Sequence, residues 1–87
     1  MNIEQFQALV IASHPEFTQF NYDSYRDEFV AVTNSPATVL TYDCLAGTYT
    51  VSFNGGMGVG ETIEAAFASF EEDYNRIQRN YELSRLS

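Results

Sequence analysis

The chain has 87 residues, of which twelve are acidic, four are arginine and none is lysine, for a formal charge of -8 at pH 7. No basic patch exists to neutralise phosphates, which disfavours direct binding of DNA or RNA, and a single cysteine and a single histidine rule out an intramolecular disulfide and a multi-histidine metal cluster. No apolar run approaches the roughly 20 residues of a membrane span and Glu4 stands where a signal peptide wants positive charge, so a cytoplasmic protein is expected.

The length suits one domain spanning residues 1–87, with seven Phe and six Tyr to fill its core. Asn2 and Gln5 have the spacing of a capping box, and Ile3, Phe6, Leu9 and Val10 follow at helical intervals, which predicts a helix over residues 3–12. Ser13 can cap a second short helix, because Glu16 lies three positions on and Pro15 is tolerated in a first turn; Phe17 and Phe20 would be its buried side. The two helices could also read as one bent element. Residues 21–28 are polar and aromatic and match no regular element.

Strand character begins at Phe29–Thr33, bounded by the turn signal Asn34-Ser35-Pro36. Residues 38–43 and 48–53 alternate, and the short 44–47 segment makes them an antiparallel pair. Tyr49, Val51 and Phe53 form the face to bury, and Thr48, Thr50 and Ser52 the face to meet solvent. Asn54-Gly55 is a turn, and the glycines at 56, 58 and 60 read as a tight or flexible connection into the last helix, with Gly60 as its N-cap.

That last helix, over residues 60–86, is the most regular stretch. Ile63, Phe67, Phe70, Tyr74, Ile77 and Tyr81 recur at spacings of four and three and lie on one stripe. Ala65, Ala66, Ala68 and Ser69 let its first half approach another element closely. The expected fold is therefore α+β in two layers: an N-terminal helix, bent or paired with a short one, a three-stranded antiparallel sheet and a long C-terminal helix.

Catalytic and cofactor motifs are missing from the sequence. Asp43 beside Cys44 would hinder thiolate formation, and the carboxylate groups at 23, 27, 28 and at 71–73 match no EF-hand loop. The glycines do not fit the dinucleotide fingerprint, since the position after Gly56 and Gly58 that needs a third glycine is Glu61. The expectation is a non-enzymatic protein with no cofactor and no metal.

What remains is charge interleaved with tyrosine. Tyr22, Asp23, Tyr25, Asp27, Glu28 and Asp43, joined by Glu64, Glu71 and Glu72 from the long helix, are candidate partner-binding residues, because rigid phenol rings among carboxylates suit the docking of a basic protein. Their expected partner is a basic nucleic-acid-binding protein whose site they occupy. An alternative is a structural or assembly protein that pairs as a homodimer or hetero-complex through the aromatic stripe.

The order of a helix, three short antiparallel strands and a long helix in a small acidic chain resembles small phage-encoded inhibitors of bacterial defence nucleases, in particular anti-CRISPR proteins. The resemblance lies in layout and charge, without an aligned motif. It implies a non-enzymatic protein of the host cytoplasm that blocks a Cas effector by steric and electrostatic occlusion of its nucleic-acid site.

Overall fold

The computed structural model describes residues 1–34 and 37–86, so the Ser35-Pro36 turn signal lies outside the described residues. Its elements are α1 (Ile3–Ser13), β1 (Phe17–Asp23), β2 (Glu28–Thr33), β3 (Val39–Asp43), β4 (Thr48–Phe53), β5 (Gly56–Gly60) and α2 (Ile63–Leu86). All five strands form one antiparallel sheet in the order β1-β2-β3-β4-β5. The three-stranded expectation is thus corrected to five strands between two helices.

Helix α1 starts at the predicted capping box: the Gln5 amide donates to Asn2 Oδ1 at 2.8 Å, and the Asn2 amide donates to Gln5 Oε1 at 2.9 Å. It ends at His14, whose N–H donates to the Val10 carbonyl and whose ring stacks on Phe67 with centroids 4.0 Å apart. The predicted second short helix does not form. Ser13 is the last residue of α1, residues 14–16 form a turn, and Phe17 to Phe20 belong to β1, where a register shift between Phe17 and Gln19 inserts one extra residue. Through that bulge Phe17 and Phe20 share a face although they stand three apart, a spacing that imitates a helix.

Pairing register sorts every strand residue onto one of two faces. On one, Tyr22, Phe29, Tyr42, Tyr49 and Gly60 lie in a cross-strand row beside the row Phe20, Ala31, Leu40, Val51 and Gly58. Both helices pack there. Phe6 of α1 is fully buried, its ring within 6.5 Å of those of Phe20, Phe29, Tyr42 and Tyr49. Burying a side chain of this size contributes about 2–3 kcal/mol.

The glycine-rich segment is a strand, which corrects the predicted loop. Asn54 and Gly55 take φ of 51° and 86°, both positive as a two-residue hairpin turn requires, and carry the chain straight from β4 into β5. Gly56, Gly58 and Gly60 all face inward, and α2 lies directly on them. A Cβ at Gly60 would stand 2.6 Å from Ala65 Cβ, and one at Gly58 would overlap the Phe70 nitrogen and the Ala66 carbonyl oxygen. The N-cap also moves, from Gly60 to Thr62, whose Oγ1 accepts from the Ala65 amide at 3.0 Å.

The 24-residue α2 spans about 36 Å, roughly twice the ~17 Å of a five-residue strand. Its stripe is accordingly covered only at the start. Ile63 and Ala66 are buried, Phe67, Phe70, Tyr74 and Ile77 are partly covered, and Tyr81 is 61% exposed.

Candidate functional site

The β1–β2 and β3–β4 turns lie at the same end of the sheet and are built alike. Asp23 Oδ1 accepts from the amides of Tyr25 and Arg26, and Asp43 Oδ1 accepts from the amides of Leu45 and Ala46. Four residues beyond each aspartate the backbone turns left-handed, at Asp27 (φ 53°) and Gly47 (φ 69°). The Cys44 amide donates to the Asp27 carbonyl at 3.1 Å and ties the turns together. Side-chain capping by the first Asp thus fixes two rigid tips. The equivalent position in each tip holds an exposed apolar side chain, Tyr25 at 96% and Leu45 at 85%.

On the sheet face away from the helices, Asp23 pairs with Glu28, Glu28 with Asp43 and Asp43 with Thr48. The register therefore sets three carboxylates in a row at about the 4.8 Å spacing of neighbouring strands. Like charges so placed are destabilising. Among the described residues no ion pair relieves them: the pairs present are His14–Glu16 and Arg76–Asp73. Arg26 stands in the same turn, but Arg76, Arg79 and Arg85 lie on the half of α2 that runs past the opposite end of the sheet.

Behind the row the same face holds Asn21, Val30, Thr41, Thr50 and Val59, then Gln19, Val32, Val39, Ser52 and Met57, with no charged side chain. The described helices pack on the other face, so this uncharged surface lies open beside its acidic margin.

The helix-side face of the same end holds a cleft lined by Met1, Asn2, Ile3, Tyr22, Asp27, Phe29 and Cys44. Tyr22 OH donates to Asp27 Oδ1 at 2.7 Å. That bond, with smaller help from desolvation and nearby negative charge, raises the Tyr22 pKa above its ordinary value. Cys44 is raised chiefly by burial and then by the charge and hydrogen bonding of Asp27, so at neutral pH it is a protonated thiol and a poor nucleophile. Among the described residues no group of three or more His, Cys, Asp or Glu is disposed to hold a metal ion.

The nine sequence-derived candidates divide in two. Tyr22, Asp23, Tyr25, Asp27, Glu28 and Asp43 meet at the twin turns. Glu64, Glu71 and Glu72 are exposed on α2, in the helical layer on the other side of the sheet. Glu64 stands near the start of α2, close enough to Tyr49 to add to the rise that burial gives its pKa. Glu72 lines a separate polar cleft with Met57, Ser69, Asp73 and Arg76.

Leu45 and Phe29 are members of this end that the sequence did not mark as site residues, and Cys44 is one it offered only as a disfavoured nucleophile. Their signal was the repeated turn chemistry, an Asp followed four positions later by a residue that tolerates positive φ, at 23–27 and again at 43–47. The element order on which the inhibitor resemblance rested is different in the structure, leaving size and acidity as its content. No helix among the described residues is long and apolar enough to cross a membrane. No family model, no curated protein and no solved structure matches the chain.

Proposed function

We propose that this protein is a non-enzymatic inhibitor that docks a basic, nucleic-acid-binding protein with its twin-turn end and keeps nucleic acid out of the partner's site. The observation that carries this reading is the unneutralised row Asp23–Glu28–Asp43 beside the exposed Tyr25 and Leu45 tips. Like charges on neighbouring strands lower stability, a cost that the amide hydrogen bonds to Asp23 and Asp43 offset in part and that no ion pair relieves among the described residues. A cationic partner surface reverses the sign of that cost.

The arrangement has the parts of a protein-docking surface: apolar anchors on rigid turns, charge at the margin, and an uncharged sheet face behind it. Segregating three arginines to the far part of α2 polarises the molecule, which orients its approach to a positive surface and speeds association. A Cas effector in the host cytoplasm is one partner of the required chemistry.

The test is recovery of partners from a cell lysate at low and high salt, followed by competition of the recovered protein with its nucleic acid. Wild type should displace nucleic acid in a salt-sensitive manner. The triple variant Asp23→Asn, Glu28→Gln, Asp43→Asn, which keeps the turn-forming side-chain oxygens, should lose that ability. Equal competition by the variant would overturn the reading.

A further inference from the structure

We infer that the cleft between the N-terminus and the twin turns is a binding site for a guanidinium group, and that an arginine side chain of the partner is its occupant; this rests on the docking reading above and deepens it. The cleft has a volume of about 420 Å³ and is lined by Met1, Asn2, Ile3, Tyr22, Asp27, Phe29 and Cys44. Pockets that enclose small ligands run from about 300 to 1,000 Å³, so the space admits the head of an arginine side chain.

Its lining chemistry selects the occupant. Asp27 is the only carboxylate in the lining and is partly buried. One of its oxygens accepts from the Tyr22 hydroxyl, a neutral donor, and its charge helps to raise the pKa of the neighbouring Cys44 thiol. The carboxylate is in no ion pair among the described residues; the one cationic group at the cleft is the Met1 ammonium, which acts on Cys44 without pairing with Asp27. The half-exposed Tyr22 ring lines the cleft and packs, with centroids 5.3 Å apart, on Phe29, which is itself buried. A planar cation that stacks on aromatic faces and donates in a fork to a carboxylate is a guanidinium, whereas an ammonium lacks the planar fork.

The twin turn shows that the fold does not require this carboxylate. Gly47 holds the position equivalent to Asp27, with the same left-handed backbone and with open space around it. Glycine adopts that conformation without strain, while aspartate does so at a cost. The aspartate thus brings to the cleft a charge that turn geometry alone does not call for.

The test is an NMR titration of ¹⁵N-labelled protein with N-acetyl-arginine-methylamide and, separately, with the uncharged citrulline analogue. The arginine probe should shift the amides of Ile3, Tyr22, Asp27 and Cys44 in a saturable way, and the citrulline probe should not. Asp27→Asn keeps a residue type that tolerates positive φ, and should weaken the arginine response at least fivefold. Equal response to both probes, an unweakened response in Asp27→Asn, or shifts confined to Asp23, Glu28 and Asp43 would overturn the inference. Loss of the partner by the Asp23, Glu28, Asp43 triple variant while the cleft ignores arginine would leave the docking reading standing without this site. A cleft that binds arginine in a protein whose triple variant still competes would separate them in the opposite direction.

Discussion

Gly58 in β5 lies directly under the backbone of Phe70 in α2, so close that a Cβ on the glycine would overlap the Phe70 nitrogen and the Ala66 carbonyl oxygen. Backbone cannot rotate out of the way as a side-chain tip can. Gly58→Ala must push α2 off the sheet and should cost at least ~3 kcal/mol, at or beyond the upper end of ordinary overpacking. Gly47→Ala is the control: it meets nothing within 4 Å but has φ of 69°, and should cost only about 1–2 kcal/mol of backbone strain. Urea unfolding of the two variants measures the difference.

Tyr25 and Leu45 project from their turns at 96% and 85% exposure. Truncating either to alanine should change folding stability by no more than about 0.5 kcal/mol. The same changes should weaken the basic partner at least tenfold, a loss of about 1.4 kcal/mol. Thermal melts paired with partner titration read both quantities. Unchanged affinity would remove the turn tips from the docking surface.

Stability should fall in alkali. The pKa of Cys44 is raised above its ordinary 9.0, first by burial, and those of Tyr22 and Tyr49 above 10.0, by the Asp27 hydrogen bond and by burial respectively. Each group holds its proton more tightly folded than unfolded, so its contribution is complete below the unfolded pKa and is lost as pH rises through the folded one. Denaturation midpoints should hold up to about pH 8.5 and decline above about pH 9, the cysteine leading and the tyrosines following. Cys44→Ser should remove the first part of the decline.

Cys44 offers a second reading of the same electrostatics. Asp27 adds to the elevation of its pKa by charge and by hydrogen bonding, while burial remains the larger cause. Asp27→Asn should therefore bring the thiol pKa part of the way down, and alkylation by iodoacetamide at mildly alkaline pH should become faster. The pH profile of the rate separates this change from greater access, which would raise the plateau without moving the midpoint.

The last turns of α2 lie beyond the sheet, with Tyr81 and Leu83 at 61% and 59% exposure. Hydrogen exchange should protect amides around Ala66 and Phe70 nearly to the global stability and leave those after Arg79 weakly protected. Ending the chain after Asn80 should cost no more than about 1 kcal/mol, since the residues removed bury little apolar surface. A larger loss in the monomer would mean that this segment supports the domain.

The sequence by itself determined what its local composition and side-chain spacing could encode: the capping box of α1, the β-branched and aromatic β2, the alternating strands β3 and β4, and the long stripe of α2. These are short-range relations, each complete within one element. The other two strands were settled only by tertiary structure. Strand β1 escaped because its bulge lets Phe17 and Phe20 face the same way at helical spacing, and β5 because its inward positions are glycines whose packing partner is the backbone of another element. The twin turns could have been read from their aspartates, but their union could not. Register alone sets Asp23, Glu28 and Asp43 side by side and leaves Glu64, Glu71 and Glu72 on the opposite layer. Electrostatics depends on distance in space, and the hydrogen-bonded register between neighbouring strands fixes that distance.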